Sequence, residues 1–115
     1  MTVKECYEQL GGCYEEVLER LMKDALVEKF LLKFLDDQTM NRLKVAVEAK
    51  DIEESFHQAH TLKGIAANLA LTKLQNAASE LTEQLRTRTN PADPVLFQEL
   101  CIQYQHSIEV IRQLG

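Results

Sequence analysis

The sequence predicts an all-α fold: an antiparallel four-helix bundle with an N-terminal helical extension. Three observations lead there. Apolar residues recur at helical spacing along most of the chain, and the two-residue alternation of a half-buried strand is missing. Punctuation is also sparse. Apart from Gly64, the strong breakers are Gly11-Gly12, Pro91 and Pro94 in one loop, and Gly115. With 45% apolar residues in 115, the chain can build one packed core, so a single domain is expected over 1–115. Its parts are an extension over 1–22 and a bundle over 24–114.

The elements follow in order. A short helix runs from Val3 to Leu10 with Thr2 as its cap. A second begins near Tyr14 and carries Val17, Leu18 and Leu21. Over residues 24–49 nothing stops a helix. Phe30, Leu31, Phe34 and Leu35 give one apolar face and Met40, Leu43 and Val47 another, and their imperfect common register predicts a kink near residues 36–39. Asp51 caps the next helix, with Glu54 at the reciprocal capping-box position. Thr72 is the expected cap of the helix whose stripe is Leu74, Ala77, Ala78, Leu81 and Leu85. Asp93-Pro94 is a strong start signal for the last helix, lined by Phe97, Leu100, Cys101, Tyr104, Ile108 and Ile111.

Composition excludes several functions. A net charge of −5 with no basic block argues against nucleic-acid binding, which needs clustered Lys and Arg. No segment approaches the roughly 20 apolar residues of a membrane span, and residues 1–5 carry no apolar run, so a cytoplasmic monomer is expected. Cys6, Cys13 and Cys101 are odd in number and widely spaced, which predicts reduced, inert thiols.

Chemistry concentrates in His60-Thr61-Leu62-Lys63-Gly64. On a helix the residues at i, i+3 and i+4 are neighbours, so Lys63 and Gly64 sit beside His60. A Cβ leans toward the helix N-terminus, and residue 64 would ordinarily cover the spot next to residue 60. Glycine leaves it bare, at a cost of roughly 0.5–1 kcal/mol relative to alanine. Ile52, Phe56, Ala59, Leu62, Ile65, Ala66 and Leu69 mark the inward face. At about 100° per residue, His60 then falls opposite Leu62, on an outward stripe with Glu53, His57, Gly64 and Ala67.

Ala59-His60-Thr61-Leu62-Lys63-Gly64, followed by Ala66-Ala67-Asn68-Leu69 and Leu74, resembles the histidine-containing phosphotransfer (HPt) domain family. The likeness covers about residues 24–85 well, and that family's fold is a four-helix bundle. The resemblance implies that His60 accepts a phosphoryl group from a receiver-domain aspartate and passes it to another receiver. It implies that Lys63 stabilises the phosphoryl oxygens and that Gly64 gives the receiver access. His57, Thr61, Ala67, Asn68 and Leu71 would be docking residues. The partners implied are response-regulator receiver domains and a hybrid histidine kinase. Mg²⁺ is expected on the receiver, with no cofactor on this chain. The chemistry fits, since imidazole titrates near about 6.5 in water and is a good nucleophile at neutral pH. Two positions depart from the family pattern. Ala70 stands where many members have glycine, which predicts a slightly different turn. A glutamine position on the following helix falls on Thr82, to which no role is carried over.

Three other readings compete. A metal site would use Glu54 and His57, but such bundles need two Glu-x-x-His units and further glutamates, and only one unit exists. His106 stands on the last helix without a carboxylate partner at the right spacing. A kinase needs phosphate-cradling glycines that are absent here, so no ATP-dependent activity is expected. A helical adaptor that binds signalling partners without being phosphorylated shares the same fold, and the intact His60, Lys63 and Gly64 set argues against it.

Overall fold

The computed structural model describes residues 1–114; Gly115, read above as punctuation, lies outside them. These residues form seven helices and no strand: α1 (Val3–Leu10), α2 (Tyr14–Leu21), α3 (Asp24–Phe34), α4 (Thr39–Glu48), α5 (Ile52–Asn68), α6 (Thr72–Leu85) and α7 (Pro94–Ile111). Helix α4 lies on α5, α5 on α6 and α6 on α7, while α1 packs against α7 and touches α2 and α3.

Local chemistry explains most boundaries. At α1, the Glu5 N–H donates to Thr2 Oγ1 (3.1 Å) and the Thr2 N–H to Glu5 Oε1 (3.0 Å), a complete capping box that lowers the Glu5 carboxyl pKa. Gly11 ends α1 at φ 65°, the left-handed conformation glycine adopts without penalty. At Asp93 one carboxylate oxygen accepts from the N–H groups of Val95 (2.9 Å) and Leu96 (3.1 Å), and Pro94 opens α7.

Three expectations need correction. The stretch over 24–49 is broken, not merely kinked. The N–H groups of Leu35, Asp36 and Asp37 reach back three residues, which tightens and ends α3. Asp37 then accepts from the Thr39 N–H at 2.9 Å to start α4. Asp51 caps α5 through the Glu54 N–H (3.1 Å), but the Glu54 carboxylate is drawn to Gln58 at 2.6 Å, so the reciprocal half of the box is not made. Thr72 is the first residue of α6, not its cap, and Leu71 precedes it with no side-chain cap. The turn between α5 and α6 is so tight that Leu71 is already committed to the core, only 2% exposed. Ala70 stands in that turn. It takes φ 53°, the left-handed geometry glycine would supply.

The core is continuous from α1 to α7. Val3, Cys6, Tyr7 and Leu10 join Leu62, Leu74, Leu81, Leu100 and Ile111 in one cluster, so the N-terminal helix shares the core of the rest. The Tyr7 hydroxyl donates to the Leu69 carbonyl at 2.7 Å, and the Cys13 N–H donates to the Ala70 carbonyl at 3.1 Å. Gly12 lies so close to this turn that a Cβ would stand 2.7 Å from the Ala70 carbonyl oxygen. All three cysteines are free, and burial pushes the Cys6 thiol up to about 11. Among the described residues, no helix is long and apolar enough to cross a membrane.

Candidate functional site

Helix α5 is fixed in rotation by what it buries. Ser55, Gln58, Ala59, Leu62 and Ala66 face the core. Fully burying a leucine is worth about 1.5–3 kcal/mol, so turning α5 to hide its other face would forfeit that at Leu62 alone. Glu53, His57, His60 and Gly64 therefore face outward and are exposed. The inward face is rotated slightly from the expected one, with Ser55 and Gln58 inside and Ile52, Phe56 and Ile65 only half-buried.

That rotation puts Phe56 at the edge of the outward stripe. Its ring stacks on the His60 imidazole with centroids 6.0 Å apart and planes 10° from parallel. The guanidinium of Arg88 lies 3.7 Å over the Phe56 ring, and that of Arg86 lies 5.7 Å from it. Arg88 also pairs with Glu53 at 3.3 Å, and Arg86 forms a two-pronged bond with Glu83 at 2.9 and 2.7 Å. Those bonds hold the Glu83 carboxyl below the usual range, and the nearby charges of Lys63 and His60 add to the effect. The Arg86 guanidinium is correspondingly raised.

The C-terminal side of His60 is different. Gly64 is open, since a Cβ built there meets nothing within 4 Å. Lys63 is half-buried one turn on from His60. Of the anticipated docking residues, His57 and Asn68 are exposed, and Thr61 and Ala67 are half-buried. The Thr61 hydroxyl donates to the His57 carbonyl at 2.9 Å, which leaves mainly its methyl to the surface. Leu71 must be withdrawn from the docking surface, because its side chain is a core plug. Thr82 is fully buried, and its hydroxyl is spent on the Ala78 carbonyl at 2.7 Å.

Several neighbours were missed in the sequence. Arg20 reaches from α2 to donate to the carbonyls of Ala67 (3.0 Å) and Asn68 (2.7 Å), and so closes the C-terminal end of α5. Beside it lies a cleft of about 390 Å³ lined by Leu21, Phe30, Phe34, Ile65 and Asn68, among others. Phe30, expected on an apolar face with Leu31 and Phe34, is exposed here. Glu54, one of the two residues considered for a metal, is engaged by Gln58. His106 stands apart, with Nε2 3.5 Å from the Gln9 carbonyl oxygen.

The arrangement is an exposed imidazole on α5, stacked on a Phe56 ring that two guanidiniums approach, with empty space on the side of Gly64. Comparison with known families gives a match to the Hpt domain over residues 25–113. Among curated proteins and among solved structures, no significant match was found.

Proposed function

The chain belongs to the Hpt domain family, and we propose that it works as a phosphorelay carrier with His60 as its phosphoacceptor. Hpt domains are phosphocarriers of two-component signalling rather than enzymes. In this chain an imidazole nitrogen of His60 attacks the phosphorus of a receiver's aspartyl phosphate. The N–P bond forms as the P–O bond breaks, and the aspartate carboxylate leaves with the bonding pair. A second receiver reverses the step. Such transfer needs in-line positioning and charge stabilisation more than covalent help. Lys63 supplies a positive charge one helical turn from the acceptor, and the receiver brings the Mg²⁺.

The observation that carries this reading is the exposed stripe of His60 and Gly64 on a helix locked by Leu62, with Lys63 alongside. His57, Thr61, Ala67 and Asn68 form the docking surface, which runs on toward the cleft beside Phe30. Residues 24–114 act as an antiparallel four-helix bundle, and residues 1–22 brace it as an extension. The protein acts as a cytoplasmic monomer between a hybrid histidine kinase and a response regulator.

Incubation with a set of phosphorylated receiver domains tests the assignment. Wild-type protein should acquire an acid-labile, base-stable phosphate, and His60→Gln should acquire none while keeping its helical content. Labelling of that variant would remove His60 from the role. Receiver binding without label on the wild type would make the chain an adaptor.

A further inference from the structure

We infer that Arg86 is a switchable counter-ion for the phosphoryl group on His60, parked on Glu83 until that group arrives; this rests on the reading of His60 as acceptor. The two arginines at the end of α6 are held differently. Arg88 is fixed three ways: Nη1 donates to the Arg86 carbonyl at 3.0 Å, Nε pairs with Glu53 at 3.3 Å, and the guanidinium covers Phe56 at 3.7 Å. It therefore braces Phe56, whose ring stacks on the imidazole. Among the described residues the Arg86 guanidinium hydrogen-bonds to Glu83 alone, with the Phe56 ring 5.7 Å away. Both side chains are at the surface, 50% and 55% exposed. Ion pairs so exposed are weak and exchange readily.

A phosphoryl group changes the balance at this spot. It carries a charge of about −1.5 to −2 at neutral pH with three strong acceptor oxygens. Glu83 carries at most one negative charge and lies near Lys63 and His60. A dianion on His60 repels Glu83 and attracts Arg86, so both forces favour the exchange. The planar fork that now grips the carboxylate at 2.9 and 2.7 Å fits phosphate oxygens equally well. Arg86 already lies 5.7 Å from the ring against which His60 stacks. The exchange moves no proton. The nitrogen that attacks phosphorus is the unprotonated one, the imidazole keeps its own N–H, and Arg86 stays charged throughout.

The outcome is readable without a receiver. Phosphoramidate, a small P–N donor, is used to phosphorylate ¹⁵N-labelled protein, and the arginine Nε–H resonances are followed. The Arg86 signal, assigned by its loss in Arg86→Gln, should move when His60 is labelled, while that of Arg20 at the far end of α5 stays. In equilibrium with a phosphorylated receiver, Glu83→Gln should raise the transfer equilibrium constant toward His60 about two- to fivefold, and Arg86→Gln should lower it by a similar factor, the range an exposed ion pair commands. A labelled His60 with an unmoved Arg86 resonance and unchanged constants would overturn the inference. Wild-type protein that takes no label at His60 from either donor would sink the acceptor reading, and this inference with it.

Discussion

Replacing Gly64 by leucine should make the protein more stable and less able to transfer phosphate. The stability side follows from the helix interior, where glycine is less favourable than alanine or leucine by roughly 0.5–1 kcal/mol. Nothing offsets that gain here, because a Cβ at position 64 meets no atom within 4 Å. Unfolding entropy of about 2.1 cal/mol/K per residue gives about 240 cal/mol/K for this chain, so the melting temperature should rise by about 2–4 °C. The activity side follows from side-chain direction. A leucine at 64 leans toward the N-terminus, over His60. Transfer from a phosphorylated receiver should then be blocked, with the imidazole itself intact. Gly64→Ala should show the same thermal gain and an intermediate transfer rate. A thermal melt and a phosphotransfer time course on both variants suffice. A melting temperature that falls for leucine would mean that Gly64 packs against a neighbour. An unchanged transfer rate would mean that receivers do not approach over this patch.

Two further predictions concern other links of the chain. Lys63→Ala should slow transfer in both directions by about tenfold, less than the loss of a donor from a dry oxyanion hole costs, while receiver affinity stays near wild type. Collapse of binding with an unchanged rate inside the complex would make Lys63 a docking residue instead. Gly12→Ala should destabilise the fold by about 1–3 kcal/mol, as overpacking does. The new Cβ would stand 2.7 Å from the Ala70 carbonyl oxygen and 2.9 Å from a Tyr7 ring held by its own hydrogen bond to Leu69. A melt indistinguishable from wild type would show that the α1–α2 turn is not seated on the α5–α6 turn.

The all-helical class was legible because it rests on local rules. Thr2, Asp51 and Asp93 each cap the helix they were expected to cap, since an N-cap is decided by a few neighbouring residues. The exposure of His60 was legible for the same reason, because Leu62 and Ala66 set the rotation of α5 within a single helix. Thr72 failed because the competing event is tertiary. Ala70 is forced to φ 53° and Leu71 into the core, so α6 starts without a polar cap. The break between α3 and α4 was only half visible. Its cause is the hydrogen bond from Thr39 to Asp37, and aspartate two residues before a threonine is too common a pattern to read alone.

The surroundings of His60 depended on knowing which part of α6 lies beside it. One signal was available. Helices joined by the three residues 69–71 fold back as a hairpin, so residues beyond the middle of α6 return alongside the first half of α5. That mirror brings Glu83, Arg86 and Arg88 to the level of Glu53, Phe56 and His60, as the contacts of Arg88 with both Phe56 and Glu53 bear out. The two sides of the histidine thus have different origins. The crowded, charged side is assembled by a second helix, whereas the bare side at Gly64 belongs to α5 alone. On the proposed function, a receiver would approach over the bare side, where a Cβ at Gly64 meets nothing within 4 Å. On that reading one glycine suffices, because the clearance it gives lies on the face of approach, while the arginines come from the opposite side.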